Sequence, residues 1–334
     1  MYSLTRVLVA GTLVTSGAFV PLGAPAASHP SAIGAMPTHA SAIRAMPTGA
    51  AEAEGSHATV PPWGYQGHEM ATRAALSILP ADVPAFFHDA GDQLVYLSPE
   101  PDRWRIRAFP ELDRAGDYDH YVDLENLPEG ALDARDRFAY LARLHDAGVS
   151  AREGGLLLFR IVELHQRVVS LWERWHAEED PRRRAFIEAR IIDDAGVLGH
   201  YVTDASQPHH TTIHFDGWAK EASNPEGFST ERGFHAQFET RFVNAHVTVE
   251  DLTRGLPAAP RSLQGPARPA VLEHILEAHA RLETLYRLER DVGFAATGEA
   301  HPEAKAFAVE RLGAGSEMLA ALWWSAYLQG RDGR

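Results

Sequence analysis

From Gly67 onward, apolar residues recur at helical spacing almost without interruption. Gly67 to Leu79 reads as a first helix, stopped by Pro80. Between Leu156 and Trp175 the spacing of Leu157, Phe159, Ile161, Leu164, Val168, Leu171 and Trp172 is that of a buried helix. Phe186 to Val202 predicts another, closed off by Pro208. Val271 to Leu288 predicts one amphipathic helix with Leu272, Ile275, Leu276, Leu282 and Leu285 on its apolar side. Ala304 to Leu328 predicts the last, with a kink expected at Gly313 and Gly315. No run alternates in the manner of a strand, so the expected fold class is all-α, a single-domain multi-helix bundle. Two long polar loops interrupt it, Ser98 to His120 and Pro208 to Gly233, and loops on a helical scaffold are where sites tend to sit.

The pattern before residue 63 is of another kind. Arg6 precedes the uncharged apolar run Val7 to Val20, and Ala24, Pro25 and Ala26 supply the small residues of a cleavage site. The run is short and interrupted by glycine, which favours a signal peptide over residues 1–26 rather than a membrane anchor. A tandem decapeptide follows, Ser31 to Ala40 and Ser41 to Ala50, rich in Ala, Pro and Thr and without an apolar face. Residues 27–62 therefore read as a low-complexity linker or pro-segment. The expected catalytic domain spans 63–334, and the expected location is secreted or periplasmic.

Composition narrows the picture in two ways. The chain has no cysteine, so an exported fold here stands without disulfides. Its net charge is -14, and because Arg6, Arg44, Glu52 and Glu54 cancel, the charge belongs to the part after residue 62. Such a surface repels polyanions at a distance and argues against a stable nucleic-acid complex. It leaves room for an enzyme in which a local metal charge draws in one phosphate.

The candidate chemistry lies in the histidines, of which there are 18. His200 and Asp204 are spaced i, i+4 inside a predicted helix, so both leave the same face, among Val197, Leu198, Tyr201 and Val202. A lone carboxylate would be costly there. His209 and His210 follow just past Pro208. His235 and Glu239 repeat the spacing between Phe234, Phe238 and Phe242. One such pair is ordinarily a surface ion pair. Two in apolar helices suggest a shared metal cluster, because a divalent ion offsets the buried charge. His145, His165, His176, His274 and His279 have no such partners and read as packing or surface residues.

Five ordered motifs carry a resemblance. They are Trp63-Gly64-Tyr65-Gln66-Gly67-His68, Asp102-Arg103-Trp104-Arg105, His120-Tyr121-Val122-Asp123, the stretch from His200 through Asp204 and Gln207-Pro208 to His210, and Gly233-Phe234-His235 with Glu239. Together they resemble the superfamily that unites zinc-dependent phospholipases C with single-strand-specific zinc nucleases. The resemblance covers Trp63 to about Phe242. It implies a trinuclear zinc site between helices, with three Zn2+ per chain. Asp102, His120, His200 and Asp204 would hold one zinc. Asp204 would bridge to a second, bound by His68 and by the backbone amine and carbonyl of Trp63. His210, His235 and Glu239 would hold the third. Spacing alone does not choose between His209 and His210; the family's Gln-Pro-x-His pattern favours His210. Since a peptide nitrogen is a poor ligand, an amine ligand at Trp63 implies cleavage between Pro62 and Trp63.

The resemblance also implies a reaction, attack of a zinc-held hydroxide on phosphorus. Asp102 is the residue expected to orient the water or take its proton. Arg105 matches a phosphate-clamping arginine of the nuclease branch, the other reading being one more surface arginine beside Arg103 and Arg107. Tyr121 and Asp123 are the expected contacts to a nucleobase. The expected activity is that of a secreted nuclease or 3'-nucleotidase acting on single-stranded nucleic acid or nucleotides, as a monomer. The Trp63 to His68 step and Arg105 favour that branch. Glu239 and the lack of cysteine favour the alternative, a phospholipase C on glycerophospholipids. A non-catalytic zinc-binding exported protein is the alternative of another class. A zincin protease is disfavoured, because the helix from His68 and Glu69 lacks a second histidine at Thr72.

Overall fold

The computed structural model describes residues 64–333. The expected signal peptide, the repeat segment and Trp63 lie outside the described residues. Among the described residues the fold is all-α, and pairing of extended backbone is confined to two isolated bridges. No helix among them is long and apolar enough to cross a membrane.

The elements that position the site are α1 (Gly64–Ser77), α2 (Glu100–Arg103), α3 (Leu157–Ala177), α4 (Pro181–Asp204), α5 (Arg268–His279), α6 (Leu282–Asp291) and α7 (Pro302–Asp332). Helix α4 begins where sequence chemistry favours it: Asp180 accepts a hydrogen bond from the Arg182 N–H, and Pro181 occupies the first turn, where no donor is lost. Two apolar clusters hold the bundle. The first gathers Leu157, Ile161, Val168 and Trp172 of α3 with Leu198, Tyr201 and Val202 of α4 and Leu319 to Trp323 of α7. The second gathers Ala71 and Ala74 of α1, Phe238, Phe242, Leu285, Tyr286 and Phe307.

Two expectations are corrected. The single helix expected from Val271 to Leu288 is two, α5 and α6, broken at Ala280 and Arg281. Val271 and Ile275 pack into the first cluster, whereas Leu282, Leu285 and Tyr286 pack into the second, and one straight helix cannot serve both. Leu276, expected on the apolar side, is 47% exposed. Helix α7 is continuous through Gly313 and Gly315. Gly315 serves close packing: a Cβ there would lie 2.9 Å from Ser206 Oγ, in the turn that follows α4.

Away from the candidate ligands, His165 on α3 and His274 on α5 are buried among apolar neighbours. Burial pushes each imidazole down to about 4. A histidine kept neutral in the fold leaves stability intact above its unfolded pKa and removes it as pH falls from about 6.5 toward 4. Each should cost about 2 kcal/mol on going from pH 7 to pH 5. Denaturant melts of wild type and His165→Leu at the two pH values check this, the variant losing about 2 kcal/mol less.

Candidate metal centre

Helices α1, α2 and α4 and two short 3₁₀ turns bring the predicted ligands together. His68 projects from α1 and is fully buried. One turn apart on α4, His200 and Asp204 are buried to the same degree. The short helix α2 supplies Asp102, and the turn Asp117–His120 supplies His120. Asp204 sits at the middle. Its carboxylate lies 3.6 Å from His68 Nε2, 3.1 Å from His120 Nδ1, 3.3 Å from His200 Nε2 and 3.7 Å from His210 Nδ1. His200 Nε2 is also 3.9 Å from Asp102 Oδ1 and 3.0 Å from His120 Nδ1. The outer nitrogen of His200 is held by the Ser98 carbonyl at 2.9 Å, which fixes the ring with its Nε2 toward the cluster.

Backbone pairing sets the position of His120 relative to His210. The Val122 N–H donates to the His210 carbonyl, at 2.9 Å, and His210 Nδ1 lies 2.6 Å from the His120 carbonyl. Gly155 is needed for this arrangement. At φ +71 its backbone closes on Tyr121, and a Cβ would stand 2.1 Å from the Tyr121 carbonyl oxygen.

A second grouping joins His210, His235 and Glu239. His235 Nε2 is 2.8 Å from Glu239 Oε2 and 3.2 Å from His210 Nε2, and His210 Nε2 is 3.5 Å from the same carboxylate oxygen. The backbone from Gln237 to Phe242 is π-helical rather than α-helical, a wider turn found often at functional sites. The i, i+4 pair survives that widening.

Three groups of donors therefore lie close enough to share an ion: His68, His200 and Asp204; Asp102, His120 and His200; His210, His235 and Glu239. The electrostatics are compatible with one. Both oxygens of Asp102, both ring nitrogens of His68 and Oδ1 of Asp204 are buried with no hydrogen-bond partner among the described residues. Burial raises Asp102 to about 7. Burial would raise Asp204 and Glu239 too, but the facing imidazoles hold both carboxyls well below the usual range, His200 and His210 for Asp204, His235 and His210 for Glu239. The same contacts pull His210 up to about 9, against the effect of its burial. Without a cation the cluster draws its positive charge from protons on histidine. Buried nitrogen and oxygen donors converging around ionised carboxylates fit a divalent metal.

The remaining predicted residues lie nearby. Arg105 pairs with Asp117 at 3.3 Å, its side chain 41% exposed, and its charge reaches Asp102 and His120. Tyr121 is half-buried and donates its hydroxyl proton to the Arg152 carbonyl at 2.7 Å. Burial, with Glu125 adding repulsion, raises Asp123 to about 7. Trp63 lies outside the described residues. Of the adjacent histidines it is His210 that faces the cluster. The His209 ring packs among Phe234, Phe238 and Tyr286, with His235 at 5.2 Å, and joins none of the three donor groups.

Reading the sequence missed two neighbours of this centre. Phe215 is 45% exposed, with its ring 6.3 Å from that of His235. Gln207 stood in the motif only as a spacer. Phe215 carried no signal of its own, being one of several apolar residues in its loop with Ile213, Trp218 and Phe228. His145, His165, His176, His274 and His279 join none of the three donor groups. A scan against models of known protein families finds no match for this chain, and a search of curated proteins finds none either.

Proposed function

We infer that this chain is a zinc-dependent phosphoric ester hydrolase, exported, and most at home on nucleotides and single-stranded nucleic acid. The observation that carries the reading is the set of three histidine–carboxylate groups, two of them joined through His200, with Asp102, His68 and Asp204 atoms left without hydrogen bonds among the described residues. A cysteine-free set of imidazoles and carboxylates suits zinc in a catalytic rather than a closed structural site. Asp102, His120, His200 and Asp204 would hold one ion, Asp204 and His68 a second with Trp63, and His210, His235 and Glu239 a third. Zinc at such a site supplies Lewis acidity to a phosphoryl oxygen and lowers the pKa of water.

The chain's own groups supply the rest. Asp102 is buried beside the donors, and the carboxylate oxygen it does not spend on the ion can accept a proton. Arg105, half-exposed and paired with Asp117 among the described residues, can exchange that partner for a phosphate and clamp it. Tyr121 and Phe215 offer aromatic faces next to His120 and His235, suited to stacking a base, and Asp123 offers a polar edge. Phe215→Ala and Tyr121→Ala should each weaken nucleotide cleavage by about 1–3 kcal/mol, through KM rather than kcat. Steady-state kinetics on a 3'-mononucleotide check it.

One observation favours a phospholipase instead. Ile106 and Phe109 on the loop after Arg105, and Leu112 on the short helix Pro110–Ala115 that follows, are exposed, an apolar rim suited to a lipid surface. The test is purified protein assayed in parallel on single-stranded DNA, RNA, 3'-mononucleotides and phosphatidylcholine. Cleavage of the nucleotides is the expected result. Phosphatidylcholine hydrolysis without nucleotide cleavage would reverse the order of the two readings.

A further inference from the structure

The group of His210, His235 and Glu239 is held by more than its own side chains. Gln207 is fully buried beside it. Its backbone N–H donates to the Asp204 carbonyl at 3.0 Å, so the residue is fixed to the end of α4. Its side-chain carbonyl accepts from the His209 N–H at 3.0 Å and caps the 3₁₀ turn Pro208–Thr211, which presents His210. Its amide nitrogen donates to Glu239 Oε2 at 3.1 Å. That is the oxygen His235 approaches to 2.8 Å and His210 to 3.5 Å. The second amide hydrogen is directed at His209 Nδ1, 3.5 Å away, on the side where the His209 ring packs against aromatic neighbours.

A buried carboxylate can rotate, and which lone pair it offers a metal depends on what else binds its oxygens. An amide is suited to this task because it donates a proton yet carries no charge to repel the carboxylate or to compete for the ion. Gln207 also links the two halves of the centre, with its backbone on Asp204 and its side chain on Glu239. We propose that Gln207 is a positioning residue that orients Glu239 and thereby sets the affinity of the His210–His235–Glu239 site for its metal. The proposal rests on the metal reading given above.

Two variants separate the bridge from the cap. Gln207→Met keeps the volume and loses both functions. Gln207→Ser keeps an acceptor for the His209 N–H but is too short to reach Glu239. Zinc titration of the chelator-stripped full chain, against a competing chelator, reads the affinity of each site. Both variants should bind zinc about 10–100-fold more weakly at one site, with the other two unchanged. The melting temperature of stripped Gln207→Ser should stay close to that of stripped wild type. If Gln207→Met does not fold, Gln207→Ser carries the test alone. Wild-type affinity at all sites in the serine variant would overturn the proposal, and so would equal weakening of every site. A wild-type chain that binds no third ion fails before any variant is made, and it overturns the metal reading together with this role.

Discussion

Asp204→Asn should strip the centre of metal and abolish activity in the same preparation. The carboxylate stands within 4 Å of four imidazoles, those of His68, His120, His200 and His210. An amide of the same shape carries no charge and turns a donor toward nitrogens that must face a cation. Activity should fall by at least on the order of 10³-fold, about 4 kcal/mol of barrier. Metal content, measured on the same sample, should fall by more than one ion per chain because Asp204 is shared. His165→Leu, which removes a buried histidine outside the donor groups, should keep its metal in full. An Asp204→Asn protein with unchanged metal would show that the assignment of the α4 face is wrong.

Removal of metal should have the next largest effect, and it acts on stability. The candidate ligands come from α1, α2, α4, two 3₁₀ turns and the π-helical segment, so an ion at each group ties together distant parts of the chain. A site saturated a thousandfold above its Kd adds about 4 kcal/mol. Three such sites correspond to a drop on the order of 20 °C on chelation, at about 2 °C per kcal/mol for a domain this large. The loss should deepen with rising pH. In the stripped protein Asp102 is raised to about 7 and His210 to about 9, so both bind protons in the fold that they would not hold when unfolded. Stability from a group raised in this way is complete below its unfolded pKa and is lost as pH passes its folded value. Stripped protein should therefore melt lower at pH 9 than at pH 7. Loaded protein should not show this decline, because its ligands are already deprotonated. Thermal melts with and without chelator at the two pH values check both points.

Much of this architecture was legible in the residues themselves. The buried faces of α3 and α4 follow from spacing alone, and so does the i, i+4 placement of His200 with Asp204 and of His235 with Glu239. What spacing could not give was the convergence. Asp102, His120 and His200 are far apart in the chain, and only packing against α4 brings them together; their grouping came from ordered motifs that resemble a known family. The break between α5 and α6 was hidden because apolar residues continue across it without a Pro or Gly to mark it, and only the two cores make the faces diverge. The packing role of Gly315 was invisible because a glycine's partner, here Ser206, cannot be seen in local sequence. Gln207 and Phe215 were overlooked for a related reason. A neutral amide and one loop aromatic among several carry no periodic signal, and their meaning depends on the carboxylate or imidazole that the fold sets beside them.

The central claim is that the three buried donor groups hold metal, and metal content tests it most directly. Protein purified without chelator, supplemented with zinc and freed of unbound ion, should contain about three zinc ions per chain by elemental analysis, one for each donor group. A content near zero after supplementation would contradict the account.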